Sequence, residues 1–146
     1  GFSVPVPLVA GNWGRGHLVR AALESIAYAI KAGVQRVEEV TGAAAQDVSL
    51  GGGLARSMMF PQLLADILAR PVRVAPVADV SPVGAALCAA IPLGGTYASL
   101  AEAGASQREK ATVLHPDPRA AAEYEDHYRR WCAFVERMDA LIEVLS

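Results

Sequence analysis

This 146-residue sequence has no surplus of either charge: thirteen Lys and Arg stand against fifteen Asp and Glu, a net charge of −2. A nucleic-acid binder working through a basic face needs a positive excess, and so does a polybasic membrane anchor, so neither is expected. Cysteine is scarce, at Cys88 and Cys132, and histidine nearly so, at His17, His115 and His127. None stands at ligand spacing from another, so no metal site built by this chain alone is expected. Both cysteines fall in helical patterns and read as reduced, buried thiols of a cytoplasmic protein. No apolar run is long enough to cross a bilayer. The first residues, Gly1-Phe2-Ser3-Val4-Pro5, lack the basic and then apolar order of a secretory leader, and the missing initial Met points to a piece of a longer chain. What is present is apolar material: 53% hydrophobic against 19% charged residues, enough for a real core in a chain of one-domain length.

Val4-Pro5-Val6-Pro7-Leu8-Val9 reads as a short edge strand or an extended lead-in, and Gly11-Asn12-Trp13-Gly14 as a turn. From about Arg15, Leu18, Ala22, Leu23, Ile26, Ala27, Ile30, Val34, Val37 and Val40 recur at three- and four-residue steps, which predicts a long helix ended by Thr41-Gly42. After a connector from Ala43 to Asp47, Val48-Ser49-Leu50 is a short strand followed at once by Gly51-Gly52-Gly53. A second helix is expected from about Ser57 to Ala69, with Ser57 as cap, or from a later start, because Pro61 lacks a donor. Leu63, Leu64, Ile67 and Leu68 form its buried stripe, and Val72-Arg73-Val74 is the next strand.

Ser81-Pro82 opens an alanine-rich helix, Val83 to Ile91, whose Gly84, Ala85, Ala86, Ala89 and Ala90 would permit close packing against backbone. A short helix through Leu100-Ala101-Glu102-Ala103 follows, and Ala105 to Arg119 reads as a surface excursion. The last helix, Ala120 to Leu145, carries Tyr124, Tyr128, Trp131, Val135, Met138, Ile142 and Leu145 on one seam, suited to dock on the body of the protein or on a neighbouring domain. Strands alternate with helices, so the class is α/β. Two strands are too few to cover such long helices, and the chain reads as part of a larger sheet domain.

The most informative stretch is Leu50 to Ser57, where a strand runs into glycines and a helix is expected to begin soon after. Glycines admit a ligand close to the backbone, and a helix start offers free N–H groups to phosphate. In open α/β sheets ligands sit at this carboxyl edge, although a tight turn with no ligand has the same sequence signature. The spacing fits neither a Walker loop nor a dinucleotide fingerprint.

Gly52-Gly53-Leu54-Ala55-Arg56-Ser57, followed by Gln62 to Leu68 and Arg70-Pro71-Val72, resembles the adenosine motif of the FGGY carbohydrate kinases. Three further stretches resemble that family in the same order: His17 to Tyr28 its C-terminal signature helix, Asp79 to Ala86 its alanine-rich helix start, and Tyr124 with Tyr128-Arg129-Arg130-Trp131 its terminal helix. The resemblance implies a ribonuclease H-like fold of the actin and hexokinase type, with residues 1–146 the later, nucleotide-side part of the second domain. It implies ATP and Mg²⁺ as cofactors, an N-terminal sugar-binding domain as partner, and a sugar or polyol as substrate.

By resemblance, Gly52 and Gly53 would lie against the α-phosphate and ribose, and Ser57 would face the adenine. Met58 and Phe60 would be candidates for the apolar wall of the adenine pocket, with Phe60 better read as packing. The catalytic aspartate and the Mg²⁺ ligands would lie upstream, so no catalytic residue and no metal ligand is assigned here, and the chain alone is expected not to phosphorylate sugar. Asp66 and Glu24 read as solvated or capping carboxylates, and Arg20 and Arg56 as surface or inter-helix charges, with a phosphate contact as the alternative. Leu54 stands where many members have glycine, Gly51 where Thr or Asp is common, and Asp79 where Glu is usual, while Gly11 to Gly14 does not reproduce the family's Gly-Leu-Thr loop. The rival reading is a non-catalytic, kinase-like assembly module that docks through its terminal aromatic helix. A homodimer is left open.

Overall fold

The computed structural model describes residues 14–57, 59–77 and 79–145, with side chains through Leu141. The lead-in Val4 to Val9 and the turn at Gly11 to Trp13 lie outside the described residues. Helix α1 (Arg15–Thr41) is followed by strand β1 (Val48–Leu50), a single 3₁₀ turn (Gly53–Arg56), α2 (Phe60–Leu68) and β2 (Val72–Val74). Then come α3 (Val80–Ala90), a 3₁₀ turn (Ile91–Leu93), α4 (Leu100–Glu109), β3 (Thr112–Leu114) and α5 (Pro118–Leu145).

β1 and β2 pair in parallel, Val48 opposite Val72 and Leu50 opposite Val74, with α2 as the crossover. β3 adds to β2 antiparallel, Val72 opposite Leu114. The two-residue period of the strands sorts their side chains. Val48, Leu50, Val72, Val74 and Leu114 point into the core formed with α1, α2 and α5, whereas Ser49 and Arg73 line the opposite face, toward α3 and α4. The result is helices on both faces of a small mixed sheet.

The core centres on α2, where every residue but Gln62 is buried and Phe60 and Ala65 have no exposed surface. Its start is the later one: Pro61 sits in the first turn, where no donor is required, and the helix ends at Ala69, in left-handed geometry at φ 52°. Gly42 closes α1 in the same way at φ 67°. Asp117 caps α5, its Oδ1 accepting from the N–H groups of Arg119 (2.8 Å) and Ala120 (3.0 Å), with Pro118 as the first helical residue. The N–H of Asp117 in turn donates to Asp66 Oδ1 on α2 at 2.8 Å. Asp66 is buried, so it caps the approach to α5 and is not a solvated carboxylate.

Several expectations are corrected. Ala105 to Arg119 is not a surface excursion: it finishes α4, supplies β3 and opens α5. The sheet therefore has three strands. The small residues of α3 do not pack against backbone: none of its residues is buried, and a Cβ built on Gly84 would meet nothing within 4 Å. That helix begins at Val80, ahead of Ser81-Pro82. The periodic stripe of α1 is only partly covered: Ala27 and Tyr28 are buried, while Leu18, Ile26, Val37 and Val40 are 41–74% exposed. Cys88 is exposed and Cys132 half-buried, so the two thiols are not both core residues.

Candidate functional site

The carboxyl ends of the two parallel strands bring together the glycine turn after β1 and Asp79 and Val80, which follow β2. Gly52 has φ 87° and ψ −164°, a region open in practice only to glycine. A Cβ on Gly51 would come within 2.8 Å of Val80 Cγ1, so the turn lies in van der Waals contact with the first residue of α3. A Cβ on Gly52 or Gly53 would meet nothing within 4 Å among the described residues. Glycine at 51 thus allows a close internal contact, whereas glycine at 52 and 53 leaves backbone bare toward open space.

Helix α2 does not begin directly behind these glycines. One 3₁₀ turn intervenes, and the helix starts at Phe60, inside the core. The dipole expected at the glycines is therefore displaced, and what faces the opening is the turn itself. Ser57 ends that turn. Its Oγ accepts from the N–H groups of Met59 and Phe60, both at 3.2 Å, so its capping role holds with the later start. With its lone pairs so used, the hydroxyl proton remains to be donated. Phe60 is fully buried, which makes it packing and not a pocket wall. Met58 lies outside the described residues.

Arg56, on the 3₁₀ turn, reaches Asp79 at the start of α3, its Nη2 lying 2.9 Å from Oδ1 and 3.0 Å from Oδ2. It is a surface charge joining two elements. A cavity of about 370 Å³ lies on the far face of the sheet, beneath α3, between Ser49, Arg73, Val83 and Leu87. It touches Gly51 and Val80 but is not lined by Gly52, Gly53 or Ser57, so it is a neighbour of the glycine turn and not the same hollow.

At the other end of the resemblance, α1 and α5 share one cluster. Arg20 donates to Glu24 at 2.8 Å and to the Tyr124 hydroxyl, which itself donates to Glu24 at 3.1 Å. Arg20 is thus an inter-helix charge, and Glu24 is held by partners on both helices. Tyr28 packs edge-on or tilted against Tyr124, Tyr128 and Trp131, with ring centroids 5.9–6.5 Å apart. Burial pushes the hydroxyl titrations of Tyr28, Tyr124 and Tyr128 upward, so all three remain neutral at physiological pH. Lys31 is buried against the Tyr128 ring, 4.6 Å from its centroid, and pairs with Glu125 at 2.7 Å. Tyr124 and Tyr128 of the α5 seam are buried against α1, whereas Trp131, Val135 and Met138 further along it are only half-buried.

The four stretches that carry the resemblance therefore meet in two pairs, the glycine turn with the start of α3, and α1 with α5. Compared with known families, residues 9–93 match the model of the FGGY family of carbohydrate kinases, C-terminal domain. The chain belongs to the FGGY family. It is similar to glycerol kinase 1 of Thermotoga maritima, with 33% identity over 129 residues, covering 87% of this chain and 25% of that protein. It is also similar to the autoinducer-2 kinase of Salmonella paratyphi B, with 27% identity over 126 residues, 86% of this chain and 24% of that one.

Among solved structures, xylulose kinase from Rhodospirillum rubrum superposes with a TM-score of 0.68 at 31% identity, covering 93% of this chain and 27% of that one. Plasmodium falciparum glycerol kinase with ADP superposes with a TM-score of 0.68 at 26% identity, covering 88% and 25%. The fold is thus the ribonuclease H-like one of FGGY kinases, and the chain spans about a quarter of the length of the curated relatives it matches. Among the described residues, no three His, Cys, Asp or Glu side chains converge in a metal-binding group.

Proposed function

We propose that residues 1–146 are the C-terminal, nucleotide-side part of an ATP-dependent kinase that phosphorylates a hydroxyl of a sugar or polyol. The observation that carries this reading is the bare backbone at Gly52 and Gly53, set at the carboxyl edge of two parallel strands and followed by a serine with a proton to donate. That edge fits the nucleoside end of ATP: an α-phosphate and ribose against the glycines, adenine toward Ser57, with Met58 beside it as an apolar contact. In this reading the Mg²⁺ ligands, the catalytic base and most of the sugar contacts belong to the N-terminal portion of such an enzyme. Membership of a family whose relatives include glycerol, xylulose and autoinducer-2 kinases supports the reaction class, and a cytoplasmic enzyme is the natural setting for it.

The test is titration of ¹⁵N-labelled chain with ADP, followed by amide shifts. Gly52, Gly53 and Ser57 should move together and saturate. Gly53→Val is the control, since Gly53 lacks a positive φ and a side chain there has room in the chain itself yet fills the space over the turn. It should keep the fold and lose the response. Shifts confined to other regions, or an unchanged response in Gly53→Val, would sink the assignment.

A further inference from the structure

Asp79 occupies the N-cap position of α3, where an aspartate ordinarily accepts from the second or third N–H of its helix. It makes no such bond. Both carboxylate oxygens go instead to one nitrogen of Arg56, 23 residues earlier, on the turn that follows the glycines. Two residues from the glycine turn thus grip α3: Arg56 through its guanidinium, and Gly51 through the contact that leaves no room for a Cβ against Val80. Between them stand Gly52 and Gly53, flanked on both sides by residues in contact with the start of α3. The Arg56–Asp79 pair is exposed, at 59% and 76% of its side-chain surfaces, and α3 has no buried residue of its own, so neither feature is explained by core stability.

We propose that Arg56 and Asp79 are positioning residues: their bond holds the glycine turn in the shape that receives the nucleotide and couples α3 to that site. This rests on the nucleotide reading above. Neither side chain is assigned a contact with the nucleotide. Arg56 acts through the backbone of the turn, and Asp79 acts through Arg56.

The experiment is calorimetric titration of the whole chain with ADP in the presence of magnesium, for the wild-type sequence, Arg56→Ala, Asp79→Ala, the double variant, and the exchanged pair Arg56→Asp with Asp79→Arg. Each single substitution should weaken binding about fivefold, the double should be no weaker than either single, and the exchange should recover most of the loss. Melting temperatures should stay close to that of the wild type, which separates positioning from general support of the fold. If the wild type binds and Asp79→Ala binds equally well, the inference fails alone. If Asp79→Ala binds more tightly while Arg56→Ala binds more weakly, Arg56 is a direct anion contact released by the loss of its partner, and the positioning role is overturned. If the wild type does not bind at all, the nucleotide reading fails and this inference goes with it.

Discussion

At Gly52 the backbone adopts φ 87° and ψ −164°, and any side chain there is strained whatever the space around it. Gly52→Ala should therefore lower the unfolding free energy by about 1–3 kcal/mol, read by urea denaturation, although the added methyl touches nothing. Tyr28 is the opposite case. Its ring is buried among three aromatics, but its hydroxyl finds no hydrogen-bond partner among the described residues. Tyr28→Phe removes an unsatisfied polar atom without opening a cavity, so stability should hold or rise by up to about 1 kcal/mol in the same assay. A loss of more than that would mean the hydroxyl is bonded in solution. Neither property was legible in the sequence. A glycine run announces a turn but not which glycine carries the strained angle, and a tyrosine in an apolar stripe does not say whether its oxygen is satisfied. For Asp66 the capping alternative holds, but what it caps was not legible: it lies on α2 beside Gln62, and only the return of the chain 51 residues later supplies the Asp117 N–H that it accepts.

Elements whose burial follows one period were readable, and α2 is the clearest: Leu63, Leu64, Ile67 and Leu68 form the stripe that the core covers. Leu64→Ala should cost about 2–5 kcal/mol, because Leu64 is 1% exposed and sheet and helices surround it. β3 was not readable. Three residues, Thr112 to Leu114, are too few to show alternation, and what makes them a strand is the free edge of β2. α1 was readable as a helix but not as to its buried face, since apolar residues run around more of its surface than its neighbours cover. The elements are also tied by charge. Glu38 on α1 accepts from Arg70 at 2.5 Å and from the N–H of Ala45, and Asp47 accepts from Arg73 at 2.5 Å and Arg108 at 3.0 Å. The hydrogen bond from Arg70 holds the Glu38 carboxyl below its usual range, and that from Arg73 does the same for Asp47. Folded values lower than unfolded ones stabilise the fold above the unfolded range, about pH 4, and that stabilisation is lost as pH falls through the folded values. The melting temperature should therefore be insensitive to these two groups from neutral pH down to about 5 and drop below about 4, and Glu38→Gln with Asp47→Asn should flatten that drop.

In the proposed function, the chain supplies one half of what phosphoryl transfer requires. Transfer needs an in-line acceptor, a base for its proton and cations against the phosphates, all held in one geometry. At the carboxyl edge of the described sheet there is bare backbone and a hydroxyl, but the carboxylate tied to that turn, Asp79, is bound to Arg56. The three-stranded sheet leaves β1 with one unpaired edge among the described residues, and the chain spans about a quarter of its relatives, so the proposed enzyme draws its remaining groups from elsewhere. The expected outcome is that this chain, given ATP, magnesium and glycerol or xylulose in a coupled assay, turns over at the rate of a no-enzyme control while still taking up ADP at the glycine turn. Binding without turnover would place the nucleotide contacts here and the chemistry upstream. Sugar-dependent ADP release well above the control would mean that a base and a metal site exist within these 146 residues, and the division of labour proposed for the two parts would fall.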